Sequence, residues 1–212
     1  MPSIVPENIE QYMRSLASRH DEPVLLEMET HASVNGFPIV GRLCGLTIEV
    51  LARSIGARRV FEMGSGFGYS AYWFARATGP GGEIHLTDGD PDNESLARGY
   101  LTRAGVWDRI SYHVGDALTH FGQAEGDFDI VYCDVDKAGY PDCWRAARDR
   151  IRVGGMWICD NVLWSGRVLD DDPDDSTAGI QSHNELVAGD PRYLSTVVPT
   201  RDGLMVALRV AS

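Results

Sequence analysis

Acidic side chains recur in this chain at the ends of apolar runs, and two of these places carry enough polar groups to do chemistry. The run 128–133 ends at Asp134, with Asp136, Lys137 and then Tyr140 close behind. The run 156–159 ends at the pair Asp160-Asn161. If these two runs are neighbouring strands, Asp134, Asp160 and Asn161 converge as oxygen donors. Hard divalent ions such as Mg²⁺ take that donor set, with water and substrate oxygens completing the shell. No His or Cys accompanies it, which argues against zinc. The competing reading is that Asp160-Asn161 caps a turn, a common use of these residue types. Lys137 also has two readings, an ion pair with Asp134 or Asp136 and a proton acceptor. The second requires its pKa to fall well below the free value of about 10.4, and burial with a nearby dication pushes it that way.

A second feature lies upstream. Gly64, Gly66 and Gly68 break the apolar run that carries Glu62, and an amphipathic pattern starts at once with Tyr69 and Ser70. That is a buried strand, a tight turn and a helix, with glycines where the backbone bends sharply or sits against a ligand. The spacing is GxGxG, and a dinucleotide fingerprint would need a glycine at Tyr69. Asp88 follows about 20 residues later, where an acid accepts the ribose hydroxyls of a nucleoside cofactor. Its other reading is a turn aspartate before Gly89.

The elements that must position these groups follow from periodicity. A helix is expected over 6–19, with Ile9, Tyr12, Met13 and Leu16 on one face. Residues 20–37 read as mixed and turn-rich, and His31 there is a solvated histidine or a substrate contact. A second helix spans 38–54. Strands at 83–88, 109–114, 128–133 and 156–159 then alternate with helices at 91–104, near 118 and at 140–151, and Gly154-Gly155 reads as a turn. The last third holds a helix-like stretch around 181–187 and two strands, 193–199 and 204–210, joined by the hairpin signal Asp202-Gly203. The pattern predicts an α/β fold with a mostly parallel sheet, helices on both faces and a C-terminal antiparallel hairpin. One domain over 1–212 is expected, with a helical cap at 1–55 and an α/β core at 56–212. The acidic run 170–175 reads as a solvated, mobile loop rimming the site.

The totals exclude several classes. At 212 residues, with 43% hydrophobic and 24% charged residues, the chain reads as a globular protein with a real core. It has no run of membrane-spanning length and no apolar signal block at its start, so the expectation is a cytoplasmic protein. The cysteines, Cys44, Cys133, Cys143 and Cys159, lack CxxC spacing and read as buried small hydrophobes. A net charge of −12 argues against general affinity for nucleic acid.

The motifs together resemble a known family. The GxGxG loop after an acid resembles the S-adenosylmethionine (SAM) loop of class I methyltransferases. Glu62-x-Gly64 through Gly68-Tyr69-Ser70, Asp134-x-Asp136-Lys137-x-x-Tyr140 and Asp160-Asn161-x-Leu163-Trp164-x-Gly166 resemble the cation-dependent O-methyltransferases, which include the catechol and caffeoyl-CoA enzymes. Asn184, 190–192 and 199–203 fit the same pattern, so the similarity covers roughly 38–210. The resemblance implies a Rossmann-like class I methyltransferase sheet, SAM as methyl donor, and a divalent cation, Mg²⁺ ahead of Mn²⁺ or Ca²⁺. It implies that Asp134, Asp160 and Asn161 hold the metal and that Lys137 is the general base. Val40, Glu62, Gly64, Ser65, Ser70, Asp88, Asp116 and Ala117 would line the SAM pocket, with Asp134 or Asp136 also facing it. The expected acceptor is a small phenol with adjacent oxygens, and the expected assembly is a homodimer. A hydroxylated base in tRNA is the alternative acceptor. The net charge weakens it, although Arg14, Arg19, Arg42, Arg53, Arg58 and Arg59 could line one surface. A SAM-binding protein without turnover and a nicotinamide oxidoreductase are the remaining readings. The first is disfavoured by the intact Asp134, Lys137, Asp160 and Asn161 set, the second by Tyr69.

Overall fold

The computed structural model describes residues 5–17 and 22–212. In chain order the elements are α1 (Glu7–Ala17), α2 (Pro23–Asn35), α3 (Gly41–Ser54), β1 (Arg59–Met63), α4 (Tyr69–Thr78), β2 (Glu83–Asp88), α5 (Pro91–Arg103) and β3 (Ile110–Val114). These continue with α6 (Ala117–Gln123), β4 (Phe128–Cys133), α7 (Tyr140–Ala147), β5 (Ile151–Cys159), α8 (Asp175–Ala188), β6 (Tyr193–Val198) and β7 (Leu204–Arg209). The sheet order is β3-β2-β1-β4-β5-β7-β6. The first five strands run parallel, and β7 pairs antiparallel with both β5 and β6. Period-2 alternation along the central strands explains why both faces are covered. Val60, Ile130, Tyr132 and Ile158 face a core shared with α2 to α5, while Phe61, Val131, Cys133 and Trp157 face one shared with α6 to α8.

Sequence and structure part in three places. Residues 23–35 form a helix instead of a turn-rich stretch; Pro23 starts it and Gly36, in the left-handed region, ends it. His31 therefore packs its ring edge-on against Phe67 at 5.2 Å between centroids and does not reach the cavity. Gly154-Gly155 is no turn, because β5 already starts at Ile151 and its register against β4 shifts between Phe128 and Ile130. A Cβ at position 155 would stand 2.6 Å from the Asp129 carbonyl oxygen, so the close approach of β4 needs a glycine there. The acidic run is partly structural as well: Asp174 accepts from the Thr177 N–H at 2.9 Å and caps α8, which begins at Asp175. The end of the helix expected over 6–19 and Arg19 lie outside the described residues.

Candidate active site

The β1–α4 turn is built by contacts that only a glycine permits. Gly64 has φ +81°, and a Cβ on it would stand 2.5 Å from the Asp134 carbonyl oxygen. The turn therefore lies directly against the end of β4, whose Asp134 N–H donates to the Met63 carbonyl at 2.8 Å. Asp88 fixes the turn from the other side. Its Oδ2 accepts from the Gly66 N–H and its Oδ1 from the Asp90 N–H and the Asn93 amide, at 2.8, 2.9 and 2.9 Å. The acid before the loop is placed differently from its neighbours. Glu62 is fully buried on the sheet and takes the Ser70 hydroxyl on Oε1, while its Oε2 has no hydrogen-bond partner among the described residues. Burial pushes its carboxyl up to about 8. Asp116 sits at the N-cap of α6, where the Thr119 hydroxyl and N–H hold its pKa below the usual range.

Register brings the other group together. Cys133 and Cys159 are paired across β4 and β5, so Asp134 and Asp160 leave adjacent strand ends side by side. Asn161 follows in the left-handed region, at φ +60°. A short turn at Lys137–Gly139 sends the lysine back between them. Its Nζ donates to Asp134 Oδ1 at 2.7 Å, Asn161 Oδ1 at 2.9 Å and the Tyr140 hydroxyl at 2.7 Å. The Tyr140 hydroxyl in turn donates to the Asp160 carbonyl at 2.8 Å. Burial alone would pull the Lys137 ammonium down, but the Asp134 carboxylate beside it prevails, and its pKa rises. Asp160 is fully buried, and among the described residues neither carboxylate oxygen accepts a hydrogen bond; the Asn161 Nδ2 also lacks a partner. Burial first, and then the Asp134 charge, push the Asp160 carboxyl up to about 7. Among the described residues no three His, Cys, Asp or Glu side chains form a cluster that could hold a metal ion. The set here consists of two carboxylates and a carboxamide.

Both groups border one cavity of about 680 Å³. Of the residues expected to bind SAM, hold the metal or act as the base, all line it except Glu62 and Asp160, which are fully buried. The structure adds wall residues that sequence reasoning gave no role: Phe37, Tyr69, Cys143, Ser176 and Arg201. Trp164 also lines the cavity, its ring 5.8 Å from the Lys137 Nζ. The described arginines among those considered for a nucleic-acid surface are otherwise engaged. Arg14, Arg53 and Arg59 pair with Glu10, Glu49 and Glu83, Arg42 with Glu29, and Arg58 donates to the Thr78 carbonyl.

Comparison with known proteins gives this geometry a family. The model of the O-methyltransferase family matches residues 17–210. A catechol O-methyltransferase of Mycobacterium tuberculosis is 33% identical over 165 residues, covering 75% of each chain. A catechol O-methyltransferase of Niastella koreensis is 26% identical over 214 residues, covering 95% of this chain and 96% of its own. The crystal structure of the O-methyltransferase from Bacillus cereus in complex with S-adenosylhomocysteine (SAH) superposes with a TM-score of 0.85 at 28% identity, covering 95% of this chain and 97% of that one. The family match takes in every strand and all of the cavity wall, and the chain belongs to the SAM-dependent O-methyltransferases.

Proposed function

We propose that this methyltransferase uses a divalent cation, Mg²⁺ first, to methylate a hydroxyl of a small phenol with vicinal oxygens. One observation carries the reading. The Lys137 ammonium sits within hydrogen-bond distance of Asp134 and Asn161, at a point beside the fully buried Asp160 carboxylate, whose oxygens find no donor among the described residues. A buried carboxylate with no hydrogen-bond donor, and only the Arg201 guanidinium at 3.7 Å, is costly, and a position already favourable for a cation offsets that cost. The donor set is all oxygen, as Mg²⁺, Mn²⁺ or Ca²⁺ prefer. The names of the relatives, catechol O-methyltransferases, support the acceptor class.

When bound, SAM supplies a methyl group on a sulfonium, and a divalent ion lowers the pKa of a coordinated hydroxyl and fixes its direction. The chain's own groups do the rest. Gly64 and Gly66 let the backbone come close to the cofactor, Asp88 receives its ribose, and the free Oε2 of Glu62 is an acceptor for a cationic group. Val40, Ser65, Ser70, Asp116, Ala117 and Asp134 complete that side of the cavity. Trp164 walls the aromatic ring and excludes water. Lys137 would take the phenolic proton on Nζ as the neutral amine, after releasing its own proton to solvent; the Asp134 charge holds its pKa up, so neutralising that charge would favour the amine. The exposed apolar face of α1, at Ile9, Tyr12 and Leu16, supports a homodimer, and the four free, buried cysteines support a reducing compartment such as the cytoplasm. Among the described residues no helix is long and apolar enough to cross a membrane.

The test is transfer of labelled methyl from SAM to catechol, phenol and bulk tRNA in parallel. The expected product forms on catechol and not on phenol. Methylation of phenol at the same rate, or of tRNA alone, would remove the vicinal-oxygen reading.

A further inference from the structure

Arg201 is a cavity-wall residue for which the chemistry described so far has no use. It sits in the β6–β7 turn with φ +52°, a left-handed backbone that disfavours any side chain larger than glycine. The turn is fastened to the loop that follows Asp160. The Val162 and Leu163 N–H groups donate to the carbonyls of Gly203 and Asp202 at 3.1 and 3.0 Å, and Asp202 Oδ1 accepts from the Ser165 N–H at 2.5 Å. Arg201 is thereby held on the cavity wall next to Asp160, on the same wall as Asn161 and Trp164.

Its guanidinium is underused there. The nearest acid is Asp160, with Nη1 3.7 Å from Oδ2, beyond hydrogen-bond length, and among the described residues the side chain donates no hydrogen bond. The other cation on the cavity wall, Lys137, makes three hydrogen bonds shorter than 3 Å. The wall also carries Asp88, Asp116, Asp134, Asp136 and Asp142, so an anionic acceptor is repelled unless a cation meets it. A planar guanidinium with free donors matches a carboxylate in a two-pronged geometry that no lysine reproduces.

We infer that Arg201 receives the carboxylate of the methyl acceptor, so that the substrate class is a vicinal-diol aromatic acid. This rests on the reading of the cavity as the site of a phenolic acceptor. The aromatic ring then lies between Trp164 and the Asp134–Asn161 group, with its acid group turned towards the β6–β7 turn.

The experiment compares kcat/KM for 2,3- and 3,4-dihydroxybenzoate with that for the matching amides and for 3,4-dihydroxybenzylamine, in the wild type and in Arg201→Gln and Arg201→Lys. The expected wild type favours at least one acid over its own amide by about 10–100-fold, the range of a charge-assisted hydrogen-bonded pair. Arg201→Gln removes most of that preference, and Arg201→Lys keeps part of it. A wild type that prefers the amides or the amine overturns the inference, with no variant needed. So does an equal loss on acid and amide in Arg201→Gln, which is the signature of a residue that only positions Asp160. Calorimetric binding of the same compounds to the SAH-loaded protein separates this from the reading beneath it. Acid-selective binding without turnover of any diol keeps the Arg201 assignment and removes the acceptor reading. Turnover of neutral diols without acid selectivity does the reverse.

Discussion

Replacing Gly179 with alanine sets two physical effects against each other. Gly179 lies inside α8, where alanine is better than glycine by about 1 kcal/mol of helix propensity. Propensity alone therefore predicts a Tm rise of about 2–4 °C for a chain of this size. The structure predicts otherwise. A Cβ at 179 would stand 2.8 Å from the Ala138 Cα and closer still to the Lys137 carbonyl oxygen, and both are backbone atoms that cannot rotate away. Reaching ordinary contact requires α8 and the Lys137 turn to separate by about 1 Å. Overpacking of this kind costs about 1–3 kcal/mol, which cancels or exceeds the propensity gain. The same shift carries the Lys137 Nζ away from Asp134 and Asn161, and a misplacement of about 1 Å costs roughly 100-fold in rate. Thermal unfolding and steady-state kinetics on catechol measure both effects. The expected variant has an unchanged or lower Tm and a kcat reduced by about 10–100-fold. A variant with a raised Tm and wild-type kcat would refute the claim that α8 sets the position of Lys137.

Lys137→Ala is expected to lower kcat by about 10²–10⁴-fold while leaving SAM binding measurable, as for loss of a general base; a variant within a few-fold of wild type removes that role. The pH dependence of stability has a defined source in His183. The buried His183 Nε2 accepts from the Trp157 indole at 3.0 Å, and burial lowers its pKa from 6.5 to about 4. The unfolded chain takes up this proton first, so the contribution is full above about pH 6.5 and is lost as pH falls towards about 4. It amounts to about 3 kcal/mol. Tm against pH in the wild type and in His183→Gln, which keeps an acceptor and has no titrating proton, checks it; equal slopes in both contradict it.

Much of the fold is legible in the sequence because parallel strands buried on both faces are short apolar runs that end abruptly. The runs at 60–63, 83–88 and 128–133 end within the structure where a polar residue or a glycine takes over, and the register of β4 with β5 brings Asp134 beside Asp160. Helix α2 is harder to read, because its buried positions, Val24, Leu25, Met28 and Ala32, alternate with polar ones in a stripe too narrow to stand out. Pro23 and Gly36 were its usable signals. The β5 bulge is invisible for a related reason: a glycine pair marks a turn and a close strand approach equally well. At the site, spacing identifies the acids but not their depth. Glu62 and Asp160 lie beneath the wall because alternation turns both towards the α2–α5 face, Glu62 against Ser70 of α4, and only the assembled sheet reveals this. Arg201 falls in the stretch 199–203 that fits the family pattern, but spacing gives it no role. A hairpin some 40 residues beyond Asp160 in sequence brings it back to the cavity.

The central claim is that Asp134, Asp160 and Asn161 hold a divalent ion on which methyl transfer depends. The most direct measurement is transfer of labelled methyl from SAM to catechol by protein stripped with EDTA, then titrated with Mg²⁺ or Mn²⁺. The account predicts loss of product after stripping and recovery on adding either ion, with no recovery in Asp160→Ala. Undiminished transfer in excess EDTA would contradict it.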